Sequence, residues 1–228
     1  MALDTTTRGG SVAVTEDERV LALVRGDAAR THGERLPLEM ARALDRAHVS
    51  RERIDVLAVA TGPGAFTGLR IGLAAMQGLA MTLHKPVIGI SALDALGEQC
   101  SGADAELIVP WMDAQRGDVF ATVIERSSRT VLAWPLASAP AALLAAWAPR
   151  LAQRSAIFCG DAALRDEDLI AAQASGAWSV RAPEPLSPQI AQLARHKALA
   201  GDGGSPHALE PIYVRRPDAE IERERRSR

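Results

Sequence analysis

The sequence predicts an α/β protein of two lobes, each a mixed sheet flanked by helices. Two observations lead there. Short apolar runs of strand length alternate with longer stretches whose apolar residues recur at helical spacing. Their order, three strands and then helices alternating with strands, begins again with a fresh hairpin after residue 104. With 228 residues, 47% of them apolar, the chain can bury a core in each lobe.

Only Met1, Ala2 and Leu3 precede Asp4, so the first strand is short or the start of the chain is clipped. Residues 11–15 and 19–25 are Val- and Leu-rich runs parted by Glu16, Asp17 and Glu18, which is a hairpin pattern. Thr31 and Glu34 have capping-box spacing and open a helix near His32, with Leu36, Met40, Ala43, Leu44 and Ala47 as its apolar stripe. Pro37 inside that stripe predicts a kink or a displaced boundary. Residues 54–60, apolar but for Asp55, suit a parallel strand covered on both faces. A glycine-rich loop, a helix over 67–82, a strand over 87–90 and a helix capped by Ser91 with Asp94 complete the order βββαβαβα. That order is the pattern of a ribonuclease-H-like lobe.

The second lobe starts past residues 102–104 with strands over 107–113 and 119–125 about a turn at Arg116 and Gly117. A helix over 140–147 is expected to stop before Pro149, a strand follows over 156–159, and a helix over 187–200 has Ser187 as its cap, Pro188 in its first turn and Gly201 past its end. The expected division is 1–102, 103–217 and a Glu- and Arg-rich solvated tail over 218–228.

Lys and Arg total 26 against 28 Asp and Glu, a net charge of −2, so the chain lacks the basic excess that gripping RNA by itself would require. Direct nucleic-acid binding and membrane insertion are not expected, and a reducing cytoplasm suits the two cysteines, Cys100 and Cys159, whose separation suggests neither zinc site nor disulfide. No GxSxG nucleophile motif is present.

Gly62-Pro63-Gly64-Ala65-Phe66-Thr67-Gly68-Leu69-Arg70-Ile71-Gly72 joins a buried strand to an apolar helix. Such a turn can cradle a phosphate. Against that, Leu69 stands where a Walker loop has Lys, the spacing is GxGxxxG rather than GxGxxG, and Pro63 removes a backbone donor. The alternative is that the glycines allow a tight turn and a close helix contact.

This run resembles the signature of the TsaB family. Four further stretches are similar to it: Ala2 to Thr7, Thr31 to Pro37, Met112 to Val119, and Pro211 to Arg215. The resemblance implies the actin-like ATPase (ASKHA) fold, two ribonuclease-H-like lobes about a cleft that holds nucleotide in active relatives. The two phosphate loops of that fold map to residues 4–9 and 113–118. Gln115 and Arg116 depart from the glycines expected in the second, so Asp4, Thr5, Asp113 and Arg116 are expected to mark a vestigial nucleotide cleft. Asp4 and Asp113 either hold a magnesium-bound water or form Asx turns. The metal-binding His-x-x-x-His pair of the TsaD relatives has no counterpart among His32, His48, His84, His196 and His207, so neither metal nor cofactor is expected.

By this resemblance the chain is a non-catalytic scaffold subunit that pairs with TsaD, is joined by TsaE and enables threonylcarbamoyl transfer to tRNA. The rival readings are an ATPase or small-molecule kinase using magnesium-nucleotide in the cleft, and a stand-alone homodimer. The helix from about Thr67 has only a narrow polar stripe, Arg70, Gln77 and His84, which predicts burial beyond its sheet side. The expected partner face is Leu36, Met40 and Leu44 with Gly68, Gly72, Ala75, Met76 and Leu79.

Overall fold

A computed structural model describes residues 1–215; the expected tail at 218–228 and the last two residues of the 103–217 lobe lie outside the described residues. Two five-stranded sheets carry the chain. In the first, β1 (Ala2–Asp4) lies between β2 (Ser11–Glu16), antiparallel to it, and β4 (Leu57–Gly62), parallel to it; β3 (Arg19–Arg25) and β5 (Val87–Ser91) form the edges. The second sheet repeats the plan. β6 (Leu107–Asp113) takes the place of β1, β7 (Val119–Glu125) and β8 (Val131–Ser138) are the antiparallel neighbours, and β9 (Ala156–Cys159) and β10 (Trp178–Arg181) are the parallel ones.

Strand alternation decides what each face meets. On β1 and β4, Leu3, Leu57 and Val59 point to the outer side. There they pack with Leu36 and Ala43 of α1 (His32–Ala47) and with Leu69, Leu73, Met76 and Ala80 of α2 (Phe66–Leu83). Leu107, Val109 and Trp111 of β6 likewise meet Leu143, Leu144, Trp147 and Leu151 of α4 (Pro140–Leu151). The short α5 (Asp161–Arg165) and α6 (Glu167–Ala172) join that outer core through Ala162, Ala163 and Ile170.

The inner faces meet across one shared layer. Ala2, Ala58 and Ala60 of the first sheet and Ile108, Met112, Phe120, Ile124 and Ile157 of the second enclose α3 (Ala92–Glu98) and α7 (Ser187–Leu199). The helices are exchanged: α3, which leaves the first sheet, packs on β6 and β7, while α7, made after the second sheet, covers β1, β2, β4 and β5. The side chains fit this role. Alanines on β1 and β4 face Ile190, Ala191 and Ala194 of α7, so helix and sheet approach closely.

Several expectations are corrected. Pro37 does not displace the boundary of α1, because Gly33 and Pro37 both lie on its exposed side, where the unpaired carbonyl is open to water. Pro149 does not stop α4, which continues to Leu151, anchored by buried Trp147 and Leu151 while Ala145 is exposed. The strand expected at 54–60 begins at Leu57, after a 3-10 turn at Arg51–Arg53. Ser187 lies in the first turn of α7 rather than at its cap, and its buried hydroxyl has no partner. The strand β8 escapes notice in the sequence because Pro135 interrupts it, which is tolerable on an edge. Short α5, α6 and β10 lack a readable period.

Because α7 completes a core used by both sheets, removing one of its central side chains should destabilise the whole molecule. Ile190, fully buried, is the test: Ile190→Ala should cost about 2–5 kcal/mol and urea unfolding should remain one transition. Separate transitions for the two sheets would contradict a shared core.

Candidate functional site

Two turns follow the two central strands, and each is built from its own side chains. In the first, Asp4 is buried. Its Oδ1 accepts from the Thr6 backbone N–H at 2.8 Å and the Thr6 hydroxyl at 2.6 Å, and its Oδ2 accepts from the Thr7 hydroxyl at 2.7 Å. Thr7 in turn accepts from Gly10 N–H at 3.1 Å. The carboxylate is occupied in shaping an Asx turn.

The glycine run of α2 seats that turn. A Cβ on Gly72 would lie 2.1 Å from the Thr5 hydroxyl, one on Gly68 would lie 2.3 Å from the Thr5 carbonyl, and one on Gly64 would lie 2.4 Å from Thr6 Cβ. Ala65 N–H adds a hydrogen bond to the Thr6 carbonyl at 3.0 Å. The glycines therefore serve close backbone packing, the second of the two readings of this motif. The Thr5 hydroxyl is buried without a partner.

Helix α1 clamps the other side. Arg35 Nη1 donates to both carboxylate oxygens of Glu39 at 2.7 Å, in a pair that is buried at both ends. Arg35 Nη2 reaches the carbonyls of Arg8 and Gly9 and donates to His32 Nδ1 at 2.9 Å. His32 Nε2–H donates to the Thr7 carbonyl at 3.2 Å, which fixes a neutral tautomer. Burial first, and the Arg35 charge second, hold its pKa below the ordinary imidazole value. The Arg35–Glu39 pair was not anticipated, although its i,i+4 spacing beside Leu36 and Met40 is a readable signal.

The second turn is held differently. Asp113 N–H donates to Asp161 Oδ1 at 3.0 Å, while Asp113 Oδ1 accepts from Gln115 N–H at 3.1 Å and from Arg165 Nη1 at 2.8 Å. Gln115 (φ 65°), Arg116 (φ 56°) and Gly117 (φ 84°) pass through the left-handed region. Asp118 meets Arg215 at 3.2 Å.

The two turns open on different cavities. Asp113, Gln115 and Arg116 line one of about 480 Å³ together with Phe66 and Tyr213, whereas Thr7 to Gly10 line one of about 330 Å³ with Gly160, Asp161 and Leu186; Asp4 and Thr5 line neither. The expected cleft residues thus do not line one common cavity. The C-terminal segment walls the larger cavity: Ile212 N–H bonds Thr61 O at 2.7 Å, and Arg70 stacks 3.9 Å over Phe66 and bonds the Tyr213 hydroxyl at 3.1 Å.

Of the expected partner face, Leu36, Gly68, Gly72 and Met76 are buried in the chain's own core. They join α1 and α2 to their sheet. Met40, Leu44, Ala75 and Leu79 are half-buried, and the helices turn Leu38 (50% exposed), Ala41, Ala74, Gly78 and Met81 (52% exposed) outward. Among the described residues no group of three or more His, Cys, Asp or Glu stands together as a metal site, and no helix is long and apolar enough to cross a membrane.

Two lobes of ribonuclease-H type, joined through shared helices, define an actin-like ATPase fold, and comparison with solved structures agrees. The activator of 2-hydroxyisocaproyl-CoA dehydratase from Clostridium difficile superposes over 88% of this chain and 95% of its own with a TM-score of 0.53 at 13% identity. An uncharacterised Pseudomonas aeruginosa protein with similarity to peptidase YeaZ is nearer, at 26% identity and a TM-score of 0.77 over 94% of this chain and 98% of its own. The family model described as TsaD, tRNA N6-adenosine threonylcarbamoyltransferase, matches residues 24–172. An uncharacterised protein of Mycobacterium tuberculosis is 32% identical, covering 96% of this chain and 92% of its own. The tRNA threonylcarbamoyladenosine biosynthesis protein TsaB of Bacillus subtilis is 27% identical, covering 96% and 95%. The chain belongs to the TsaB family, within the wider family that the TsaD description names.

Two measurements test this site. Glu39→Gln leaves the buried Arg35 charge without its partner and should cost about 3–5 kcal/mol in thermal or urea unfolding. His32 is held neutral in the fold, so its contribution is present above its unfolded pKa, about 6.5, and is lost progressively as pH falls from there through the lower folded pKa; unfolding titrations of the wild type should fall more steeply from pH 7 to 5 than those of His32→Gln.

Proposed function

We propose that the chain is a non-catalytic partner subunit in the synthesis of threonylcarbamoyladenosine in tRNA. It holds a TsaD-type enzyme in its working form while that enzyme transfers the threonylcarbamoyl group to N6 of the adenosine following the anticodon. Its relatives, tRNA threonylcarbamoyladenosine biosynthesis proteins, support the pathway. One observation carries the non-catalytic role: both carboxylates that a magnesium-nucleotide enzyme would direct at its ligand are engaged by the chain itself, Asp4 by Thr6 and Thr7 and Asp113 by Gln115 and Arg165. The partner face is the outer side of α1 and α2, with Leu38, Met40, Leu44, Ala75, Gly78, Leu79 and Met81. TsaE joins the assembly, and the work is done in the cytoplasm. The net charge of −2 leaves tRNA binding to the partner.

Gly78→Arg separates pairing from folding. A side chain there meets nothing within 4 Å, and replacing a helical glycine favours the helix by about 0.5–1 kcal/mol. The variant should therefore melt no lower than wild type, yet lose at least tenfold in affinity for TsaD and fall equally in reconstituted transfer. Asp113→Ala should retain transfer to within a few-fold. Wild-type co-elution of Gly78→Arg would exclude this face, and complete loss of transfer by an assembled Asp113→Ala complex would return the cleft to chemistry.

A further inference from the structure

Helix α2 is flanked on both sides. At about 100° per residue, Ile71, Ala75 and Leu79 turn to the flank of α1 and pack against the core that the two helices share. Phe66, Arg70 and Gln77 turn to the opposite flank, and residues 206–213 lie along it. Gln77 Nε2 donates to Pro206 O at 2.9 Å and to Leu209 O at 3.2 Å. The Tyr213 ring stands 5.4 Å from that of Phe66, and the Tyr213 hydroxyl accepts from Arg70 Nε at 3.1 Å. The segment is seated independently of Arg70: Leu209 is buried in the same core, and Ile212 N–H bonds Thr61 O. Two residues of the polar stripe on α2, Arg70 and Gln77, are therefore turned toward the chain's own C-terminal segment. The exposed line of α2, Met81, Gly78 and Ala74, continues through Arg70 and Phe66 onto Tyr213 (42% exposed) and Ile212 (45% exposed). Among the described residues the Arg70 guanidinium, exposed and stacked over Phe66, meets no carboxylate.

We propose that residues 206–213 are a third ridge of the partner face, beside α1 and α2, and that Arg70 presents its charge there to a carboxylate of the TsaD-type partner. This rests on the partner face proposed above and extends it past α2. The ridge joins Phe, Tyr and Arg to the Met81 end of the helix, the residue types that interfaces concentrate at their centres. Arg70 is already fixed by the Phe66 ring and the Tyr213 hydroxyl, so docking costs it little side-chain freedom. Charge decides the chemistry of the partner surface. A partner that covered this ridge with apolar groups alone would bury a cation without a counter-charge, which is strongly unfavourable, so a carboxylate has to stand opposite. The rival reading makes Arg70 a clamp for the C-terminal segment and nothing more. Against it, Gln77, Ile212 and Leu209 hold that segment already, and a hydroxyl acceptor leaves the guanidinium charge unneutralised.

The test titrates the full chain with the TsaD-type protein of the same organism by calorimetry, at about 50 and about 300 mM salt. Arg70→Gln should weaken pairing about tenfold and Arg70→Glu about a hundredfold, with Arg70→Lys between wild type and Arg70→Gln. The wild-type affinity should fall with salt more steeply than that of Arg70→Gln, which a clamp would not produce. Ile212→Ser, which leaves α2 untouched, should weaken pairing about fivefold. Equal losses for Arg70→Gln and Arg70→Glu with unchanged salt dependence would reduce Arg70 to a packing residue and overturn the charged contact. Gly78→Arg separates this proposal from the one beneath it. If that variant pairs like wild type, the partner face itself is wrong; if it loses pairing while Arg70→Glu and Ile212→Ser bind like wild type, only the third ridge is overturned. Sedimentation of the chain alone covers the remaining occupant: a homodimer that Arg70→Glu dissociates, with partner affinity unchanged, would assign the ridge to a second copy and sink the proposal. Where Arg70→Glu melts below wild type, the salt dependence of the wild type and Ile212→Ser decide.

Discussion

The layer of α3 and α7 between the two sheets is the constraint on which the rest depends. Each sheet has an outer face covered by helices that lie between its own strands in the chain, and an inner face that it cannot cover alone. Ala2, Ala58 and Ala60 offer a shallow surface to which only a closely approaching helix adds much burial, and α7 supplies one with Ile190 and Ala194. The second sheet presents larger residues, Ile108, Phe120 and Ile124, and takes α3 with Leu93 and Leu96. Hydrophobic burial of this kind, at about 25 cal/mol per Å², ties the lobes far more strongly than a surface contact between independent domains would.

That tie places the two turns after β1 and β6 in a fixed frame, and the residues around them decide what they do. The first is packed from below by a glycine run and from the side by Arg35, whose charge is neutralised by Glu39 and whose remaining donors satisfy the carbonyls of Arg8 and Gly9. A loop so fully bonded to its own protein has little left to offer a phosphate. The second is braced by Arg165 and Asp161. Fold and site thus point in different directions: the frame is that of nucleotide-binding proteins, while the polar groups within it are engaged in holding the frame.

How much of this was legible in the sequence depended on period and on chain distance. The strands of the first sheet and the helices α1 and α2 announce themselves through alternation and through the Leu36, Met40, Ala43 stripe. The run from Gly62 to Gly72 was correctly readable as a packing motif, since Pro63 and Leu69 sit where an anion site needs a donor and a cation. Prolines misled where the surrounding residues overrule them: Pro149 is outweighed by the anchoring of Trp147 and Leu151, and Pro135 by the tolerance of an edge strand. Which of α2's faces looks outward was not decidable from composition, because Gly68 and Gly72 are small for the sake of Thr5, an intramolecular contact invisible at a separation of more than sixty residues.

The exchange of α7 also sets an order on synthesis. As the chain leaves the ribosome, the first sheet is complete once β5 has emerged, but its alanine-lined inner face remains uncovered until residues 187–199 are made. The first lobe therefore cannot mature as an independent unit ahead of the second, in contrast to the vectorial folding common in two-domain chains. The nascent protein must carry an open apolar surface until α7 is made, and its folding closes by a contact between segments far apart in the chain, the slow kind in which loop entropy is lost before burial compensates.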